Sequence, residues 1–265
     1  MAVITLLTDF GLTDEYVGVL KGVIHGISPT AVIIDVTHGI APQNVVAAAY
    51  TLQAAYVYFP PGTIHVAVVD PGVGTARGIV AVRCNGHLFL APDNGLLAPI
   101  LEANAPDEGY RVENEDFFRH PVSPTFHGRD VFAPVAAHLS KGLPLKDLGR
   151  PLDFHALQPL EAHGPRMNPS GELEGEVVGV DCFGNLITNI GSKHLAGLGT
   201  DKIDILLGDH IITAMTRTYA QGKAGEIIAL IGSRNCLEIA VNGASASNTL
   251  NMTHGGVVRI KAHGQ

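Results

Sequence analysis

Short apolar runs stopped by turn residues alternate with stretches where apolar side chains recur at helical spacing. Val3 to Leu7 reads as a buried strand ending at Thr8-Asp9-Phe10-Gly11. Val17 to Ile27 carries a helical pattern closed by Ser28-Pro29. Ala31 to Val36 is a β-branched run. Asn44 to Tyr58 follows as an Ala-rich helix with Asn44 at its cap and Pro60-Pro61-Gly62 as its stop. Ile64 to Val69 is a strand ending at Asp70-Pro71-Gly72. Gly78 to Cys84 and His87 to Leu90 flank Asn85-Gly86, a strong hairpin signal. Asp130 to Leu139 reads as a helix with Pro134 near its first turn. Continuous apolar strands alternating with helices predict an α/β domain with a mostly parallel sheet covered on both faces.

Beyond Pro151 the pattern changes. Residues 151 to 172 are rich in Pro, His and Gly and read as a linker. Strand patterns follow at Glu174 to Val180, Leu186 to Ile190, Ile203 to Leu207, Glu226 to Ile231, Leu237 to Val241 and Val257 to Lys261. Short turns separate them, which predicts a small antiparallel β-barrel or sandwich. The expected domains are 1–168 and 169–265.

Composition narrows the function classes. Hydrophobic residues make up 46% and charged ones 16% of 265 residues, enough for a filled core. A net charge of −8 argues against a nucleic-acid partner, which needs clustered Lys and Arg, and is compatible with a cationic small molecule. Three dispersed cysteines with no CxxC spacing indicate a reducing, cytoplasmic compartment. The N-terminus reads as a strand rather than a signal peptide, and no stretch approaches the roughly 18 apolar residues of a membrane helix. Asn251-Met-Thr253 matches a glycosylation pattern that has no meaning without secretion.

Polar clusters stand at the ends of the apolar strands, where parallel sheets bind ligands. Thr8-Asp9-Phe10-Gly11 is either a strand-ending turn or a carboxylate that accepts both hydroxyls of a ribose. Its Asp-Phe-Gly is no kinase motif, because no Gly-rich loop, strand Lys or catalytic loop precedes it. Asp70-Pro-Gly-Val-Gly-Thr-Ala-Arg77 resembles half a dinucleotide loop, but it lacks the third Gly and leads into a strand. A plain turn explains the Pro and Gly, though not Asp70 and Arg77. Thr125-Phe-His-Gly-Arg-Asp130 puts His127 at a helix start, as a structural or a catalytic residue; the helix field there favours a neutral imidazole. Asp181-Cys-Phe-Gly-Asn185, Ser233-Arg-Asn235 and Asn242-Gly243 are hairpin turns that would also suit adenine edges and an amino-acid carboxylate. No HExxH, zinc spacing or EF-hand loop is present. Asp9, Asp14 and Glu15 form an acidic cluster that fits a hard cation or a solvated helix start. No metal or cofactor is expected.

Together these clusters resemble the S-adenosylmethionine hydroxide adenosyltransferase family, whose relatives make adenosyl fluoride and adenosyl chloride. The resemblance rests on Thr8 to Gly11, Val69 to Gly74 with Arg77, Pro92-Asp-Asn-Gly-Leu96, Phe126 to Asp130, Asp181 with Phe183-Gly-Asn185, Thr188-Asn-Ile190 and Ser233 to Asn235. It implies hydrolysis of S-adenosylmethionine to adenosine and methionine, and a homotrimer with substrate between neighbouring subunits. Asp9 would hold the ribose. Asp181, Ser233 and Arg234 would hold the methionine end. Asn185 and the Asn242-Gly243 backbone would read adenine, with Phe183 and Tyr219 packed on the ligand. Asp70, Arg77 and His127 would gather round the attacking water, Asp70 and His127 positioning and deprotonating it while Arg77 sets their charge states. The Pro-Trp-Asp segment of the fluoride-using relative is replaced here by Pro42-Gln43-Asn44, and the chain has no Trp.

The implied chemistry asks little acid catalysis, since a sulfonium leaves as a neutral thioether. It asks that water lie in line with C5′ and sulfur at about 3–3.5 Å, which in the best cases supplies roughly 7–11 kcal/mol. A halide synthase is the nearest alternative. A halide about 4 Å from Asp70 would meet roughly 4 kcal/mol of repulsion at an effective dielectric of about 20, part of it offset by Arg77. A metal-dependent nucleoside hydrolase would release free base, and a non-catalytic S-adenosylmethionine sensor would need no Asp70, Arg77 and His127 set.

Overall fold

The computed structural model describes residues 1–162, 164–200 and 202–262. The chain divides into two compact units, Met1–Glu161 and Ala162–Gln265.

The first unit is built on strands β1 (Val3–Thr8), β2 (Val32–Thr37), β3 (Ile64–Val68), β4 (Ile79–Cys84), β5 (His87–Pro92) and β6 (Pro106–Arg111). Their order across the sheet is β2-β1-β3-β5-β4-β6. The pairs β1/β2, β1/β3 and β3/β5 are parallel, while β4 runs antiparallel to β5 and β6. Successive strand residues point to opposite faces, so each apolar run feeds two cores. Ile4, Leu6, Ile64, Val66, Val68 and Leu90 pack in one core with helices α1 (Tyr16–Ile27) and α4 (Ala133–Ser140). Leu7, Ala67, Val69, Phe89 and Ala91 pack in the other with α2 (Val45–Ala55) and α3 (Ala98–Ala103). Both faces are therefore covered, as the largely apolar strands predict.

Local signals place the elements. Asn44 Oδ1 accepts from Ala47 N–H at 2.9 Å, capping α2. Asn85 (φ 50°) and Gly86 (φ 76°) both take the left-handed conformation a tight β4–β5 hairpin requires. The helix expected from Asp130 instead opens with a wide turn of π type over Gly128–Phe132 before α4. The segment read as a linker is partly structural. Gln158 N–H donates to Asp93 Oδ1 at 2.9 Å, and Leu152 and Phe154 crowd Gly109, so residues 151–161 belong to the first unit's packing.

One polar cluster lies inside this unit. His65 is fully buried, bonded through Nδ1 to Thr5 Oγ1 (2.8 Å) and through Nε2 to His87 Nδ1 (3.1 Å). Burial, with the neighbouring His87, pushes the His65 imidazole down to about 3.

The second unit is an antiparallel, nearly closed barrel of β7 (Arg166–Met167), β8 (Leu173–Val180), β9 (Leu186–Gly191), β10 (Ile203–Leu207), β11 (His210–Ile212), β12 (Ile227–Ile231), β13 (Cys236–Val241) and β14 (Val257–Ala262). The strand order is β11-β10-β14-β8-β9-β13-β12, with β7 on β8. Past β11, Met215 bridges Ala229, and Thr216 N–H donates to Ala229 O at 2.8 Å, drawing the two edges together. Leu173, Val177, Ile203, Ile205, Leu237, Ile239, Val258 and Ile260 fill the interior at alternating positions. Among the described residues, no helix is long and apolar enough to cross a membrane.

Candidate active site

In the first unit the expected residues stand where the parallel strands end. Asp9 follows β1 and Asp70 follows β3. Arg77 precedes β4, and His127 leads into the Gly128–Phe132 turn.

Asp70, Arg77 and His127 form one continuous chain of contacts. Arg77 Nε donates to Asp70 Oδ1 at 2.9 Å, and Arg77 Nη2 donates to Asp70 Oδ2. The same Nη2 lies 3.1 Å from His127 Nδ1. The Asp70 and Arg77 side chains are only 5% and 11% exposed, so the fork is held out of bulk water. A guanidinium has no lone pair to offer, so His127 Nδ1 must accept from it. That fixes the neutral imidazole with its proton on Nε2. Burial first, then the Arg77 charge, push His127 below the ordinary imidazole value, against the pull of Asp70 and Asp130. The group directed away from Arg77 is thus an N–H donor, suited to the oxygen of a water or hydroxide.

Neighbouring residues lock this arrangement. Asp130 is fully buried and takes Arg129 Nε and Nη2 (both 2.7 Å), Arg119 Nη1 (3.2 Å) and Ser123 N–H (2.9 Å), which pins the turn carrying His127. Asn94 Nδ2 donates to Val69 O at 2.9 Å, tying the Pro92–Leu96 segment to the residue before Asp70. Gly74 (φ 76°) has no space for a Cβ, which would stand 2.1 Å from Pro124 O. The Asp70–Arg77 loop therefore packs directly against the segment leading to His127.

Asp9 Oδ2 accepts from Gln43 N–H at 2.8 Å. Phe10, beside it, packs edge-on against Phe126 with ring centroids 5.9 Å apart, which links the Asp9 turn to the residue before His127. Gln43 thus reaches Asp9 through its backbone, in the left-handed conformation (φ 64°). Among the described residues, no three His, Cys, Asp or Glu side chains are grouped as metal ligands, the Asp9, Asp14 and Glu15 set included.

The second unit brings all eight of its expected residues to one cavity of about 700 Å³: Asp181, Phe183, Asn185, Tyr219, Ser233, Arg234, Asn242 and Gly243. They arrive on four connections, between β8 and β9, between β11 and β12 (Tyr219), between β12 and β13, and after β13. Asp181 organises the first turn, with Oδ1 accepting from Phe183 N–H and Asn185 N–H (2.9 Å each) and Oδ2 from Asn185 Nδ2 (3.0 Å). Phe183 is 76% exposed and Tyr219 46%, unusual for aromatic rings that no partner covers.

One charged lining residue escapes the sequence reading. Glu238 is 5% exposed, and its Oε1 accepts from Tyr219 Oη at 2.6 Å. That bond, burial and the Glu238 charge push the Tyr219 phenol up to about 12, so it stays a donor. The signal was an acid in the middle of an apolar strand, alternating with Leu237 and Ile239, which face the barrel core.

Comparison with known proteins adds the following. The model of the SAM hydroxide adenosyltransferase N-terminal domain matches residues 4–149, and that of the SAM hydroxide adenosyltransferase C-terminal domain matches residues 175–259. A Salinispora arenicola protein named (R)-S-adenosyl-L-methionine hydrolase is 38% identical over 98% of this chain and 97% of its own. A fluorinase from Actinopolyspora mzabensis is 29% identical over 97% of this chain and 96% of its own. A crystal structure of a Thermotoga maritima protein superposes with a TM-score of 0.89 at 39% identity, over 97% of this chain and 99% of that one.

Proposed function

Because the chain belongs to the S-adenosylmethionine hydroxide adenosyltransferase family, we propose that it hydrolyses S-adenosylmethionine to adenosine and methionine. The observation that carries this reading is the unbroken Asp70–Arg77–His127 contact chain at the strand ends. Water attacks C5′, the C5′–S bond breaks with its electron pair on sulfur, and methionine leaves as a neutral thioether. One proton passes from the water to solvent, and His127, with hydrogen already on Nε2, positions the nucleophile rather than deprotonating it as expected from the sequence. The neutral His127 orients the nucleophile by its Nε2–H, and Arg77 holds Asp70 and His127 at fixed separation, so that the barrier is lowered mainly by alignment. A dry site helps further, because hydroxide attack on a cation spreads charge in the transition state.

In this reading Asp9 holds the ribose hydroxyls. The second-unit cavity takes the rest: Arg234 and Ser233 the carboxylate, Asp181 the ammonium, Asn185 and the Asn242–Gly243 backbone the adenine, Phe183 and Tyr219 the ligand's flat faces. Asp181 and Glu238 against Arg234 leave that lining one negative charge in excess, which suits a substrate of net charge +1. The relatives' names point to the R epimer at sulfur as the substrate. A cytoplasmic, metal-independent homotrimer completes the proposal, with the two residue sets supplied by neighbouring subunits.

The test is turnover of the separated R and S sulfonium epimers in ¹⁸O-labelled water, followed by mass spectrometry. Expected products are adenosine labelled at its 5′ oxygen and unlabelled methionine, formed faster from the R epimer. Free adenine, or no product from either epimer, would refute the hydrolase reading. Light scattering tests the trimer separately.

A further inference from the structure

Behind the Asp9 turn lies a polar chain, buried at its Thr8–His38 end, that the hydrolytic reading does not use. His38, just past β2, is 3% exposed, and Thr8, the last residue of β1, is fully buried. His38 Nδ1 lies 2.8 Å from Thr8 Oγ1. His38 Nε2 makes no aligned hydrogen bond within the protein, but it sits 3.1 Å from Asp35 Oδ1. Asp35 in turn holds Lys21 Nζ at 2.6 Å. Burial raises the Asp35 carboxyl, but the Lys21 hydrogen bond and the His38 ring beside it outweigh this and hold the group below its ordinary value.

The direction of each proton follows from these partners. An ionised Asp35 beside Nε2 favours the tautomer with hydrogen on Nε2. Nδ1 is then an acceptor, and the Thr8 hydroxyl donates to it. Thr8 Oγ1 keeps its lone pairs for Phe10 N–H, which donates to it at 3.1 Å. The hydroxyl is thereby held in one orientation between the ring and the backbone on the far side of Asp9. Two more bonds fasten the same pair of segments: Gly11 N–H to His38 O at 2.8 Å and Gln43 N–H to Asp9 Oδ2 at 2.8 Å.

We infer that His38, backed by Asp35 and Lys21, is a positioning residue that acts through Thr8 to aim the Asp9 carboxylate at the ribose hydroxyls of the substrate. The inference rests on the assignment of Asp9 to the ribose. A carboxylate on a mobile turn binds a diol weakly because ordering it costs entropy; a carboxylate already aimed does not carry that cost. His38 touches no substrate in this scheme. Its effect is confined to ligands that bear the hydroxyls Asp9 receives, which separates it from a residue that merely supports the fold.

The experiment compares calorimetric binding of adenosine and 2′,3′-dideoxyadenosine to the full chain. The readout is the ratio of the two affinities, which general loosening of the protein leaves alone. Asp9→Asn should lower the ratio about tenfold, the scale of a charge-assisted hydrogen bond. His38→Leu and the near-isosteric Thr8→Val should lower it by a comparable factor, with dideoxyadenosine affinity unchanged within about twofold. His38→Asn, whose amide can occupy the Nδ1 position, should restore the wild-type ratio. If Asp9→Asn collapses the ratio while His38→Leu and Thr8→Val keep it, the inference is overturned and the ribose assignment stands. If Asp9→Asn leaves the ratio intact, the ribose assignment fails and the role of His38 fails with it. Thr8→Val supplies the answer should His38→Leu not fold.

Discussion

Replacing Arg77 with Met separates the two tasks the geometry assigns to this residue. Met keeps an apolar stem against Gly72 and Phe132, near which the Arg77 side chain lies, so packing is largely conserved. What is lost is both hydrogen bonds to Asp70 and the donor to His127 Nδ1. Asp70, 5% exposed, is then a carboxylate without its cation. Breaking a buried pair from one side costs about 3–5 kcal/mol, most of it the stranded charge. The paired change Asp70→Asn with Arg77→Met removes that charge and should recover most of the loss. Urea denaturation of wild type, the two single variants and the double variant gives the coupling directly. The sign for His127 follows as well. Arg77 is one of the influences holding its imidazole below the ordinary value, while Asp70 pulls upward. In Arg77→Met burial alone still holds the imidazole down against Asp70 and Asp130, so its value rises. The neutral imidazole is then lost at higher pH as the solution is acidified, and the acid limb of the rate profile moves up. Additive unfolding energies in the cycle, or an acid limb that stays in place, would refute the account.

Two further outcomes test other parts of the molecule. The folded state keeps His65 neutral down to about pH 3, whereas the unfolded chain takes up its proton near 6.5, so acidification favours unfolding. Stability from this group falls as pH drops below its unfolded value, by about 2 kcal/mol at about pH 5. Wild type should lose that much more than His65→Asn between about pH 8 and about pH 5, and parallel unfolding curves would exclude it. Gly184→Ala places a Cβ 2.1 Å from Ser245 Oγ and 2.9 Å from its Cα, at φ 84°. It should destabilise the protein by about 1–3 kcal/mol and raise KM, and an unchanged thermal midpoint and KM would show that the Asp181–Asn185 turn tolerates a side chain.

Periodicity made most of the fold legible because both units bury their strands in regular alternation. Val3 to Leu7 and Ile64 to Val69 are apolar apart from Thr5 and His65, and Leu6/Leu7, Val66/Ala67 and Val68/Val69 feed different cores. In the second unit Ile203, Ile205 and Leu207 point inward while their neighbours do not, so the pattern named both the strands and their inner face. What it did not reveal was held by single contacts at long range. Nothing in the composition of residues 151–161 says that a backbone N–H at Gln158 satisfies Asp93. Likewise the wide turn at Gly128–Phe132 accompanies four donors converging on Asp130, two of them from outside the turn.

The candidate site divides along the same line. Residues proposed to reach a ligand sit mostly in turns, where Asp, Asn, Ser and Arg break an apolar pattern; those turns carry seven of the eight residues of the second-unit cavity, while Tyr219 came from the family resemblance alone. Residues that aim those groups sit inside strands or at their buried ends, where they read as interruptions of a core. Glu238 is an acid between Leu237 and Ile239, and its meaning appears only when Tyr219, 19 positions away, closes on it. His38 is one of 13 histidines, indistinguishable by type, until the pairing of β1 with β2 sets it against Thr8, 30 positions back. Burial is what separates these two from the exposed His and Glu of the same chain. A polar group kept from water needs a partner to hold. In both cases that partner is a residue at, or next to, a group assigned to the substrate. Such positions are therefore where substitutions should alter ligand discrimination before they alter the fold.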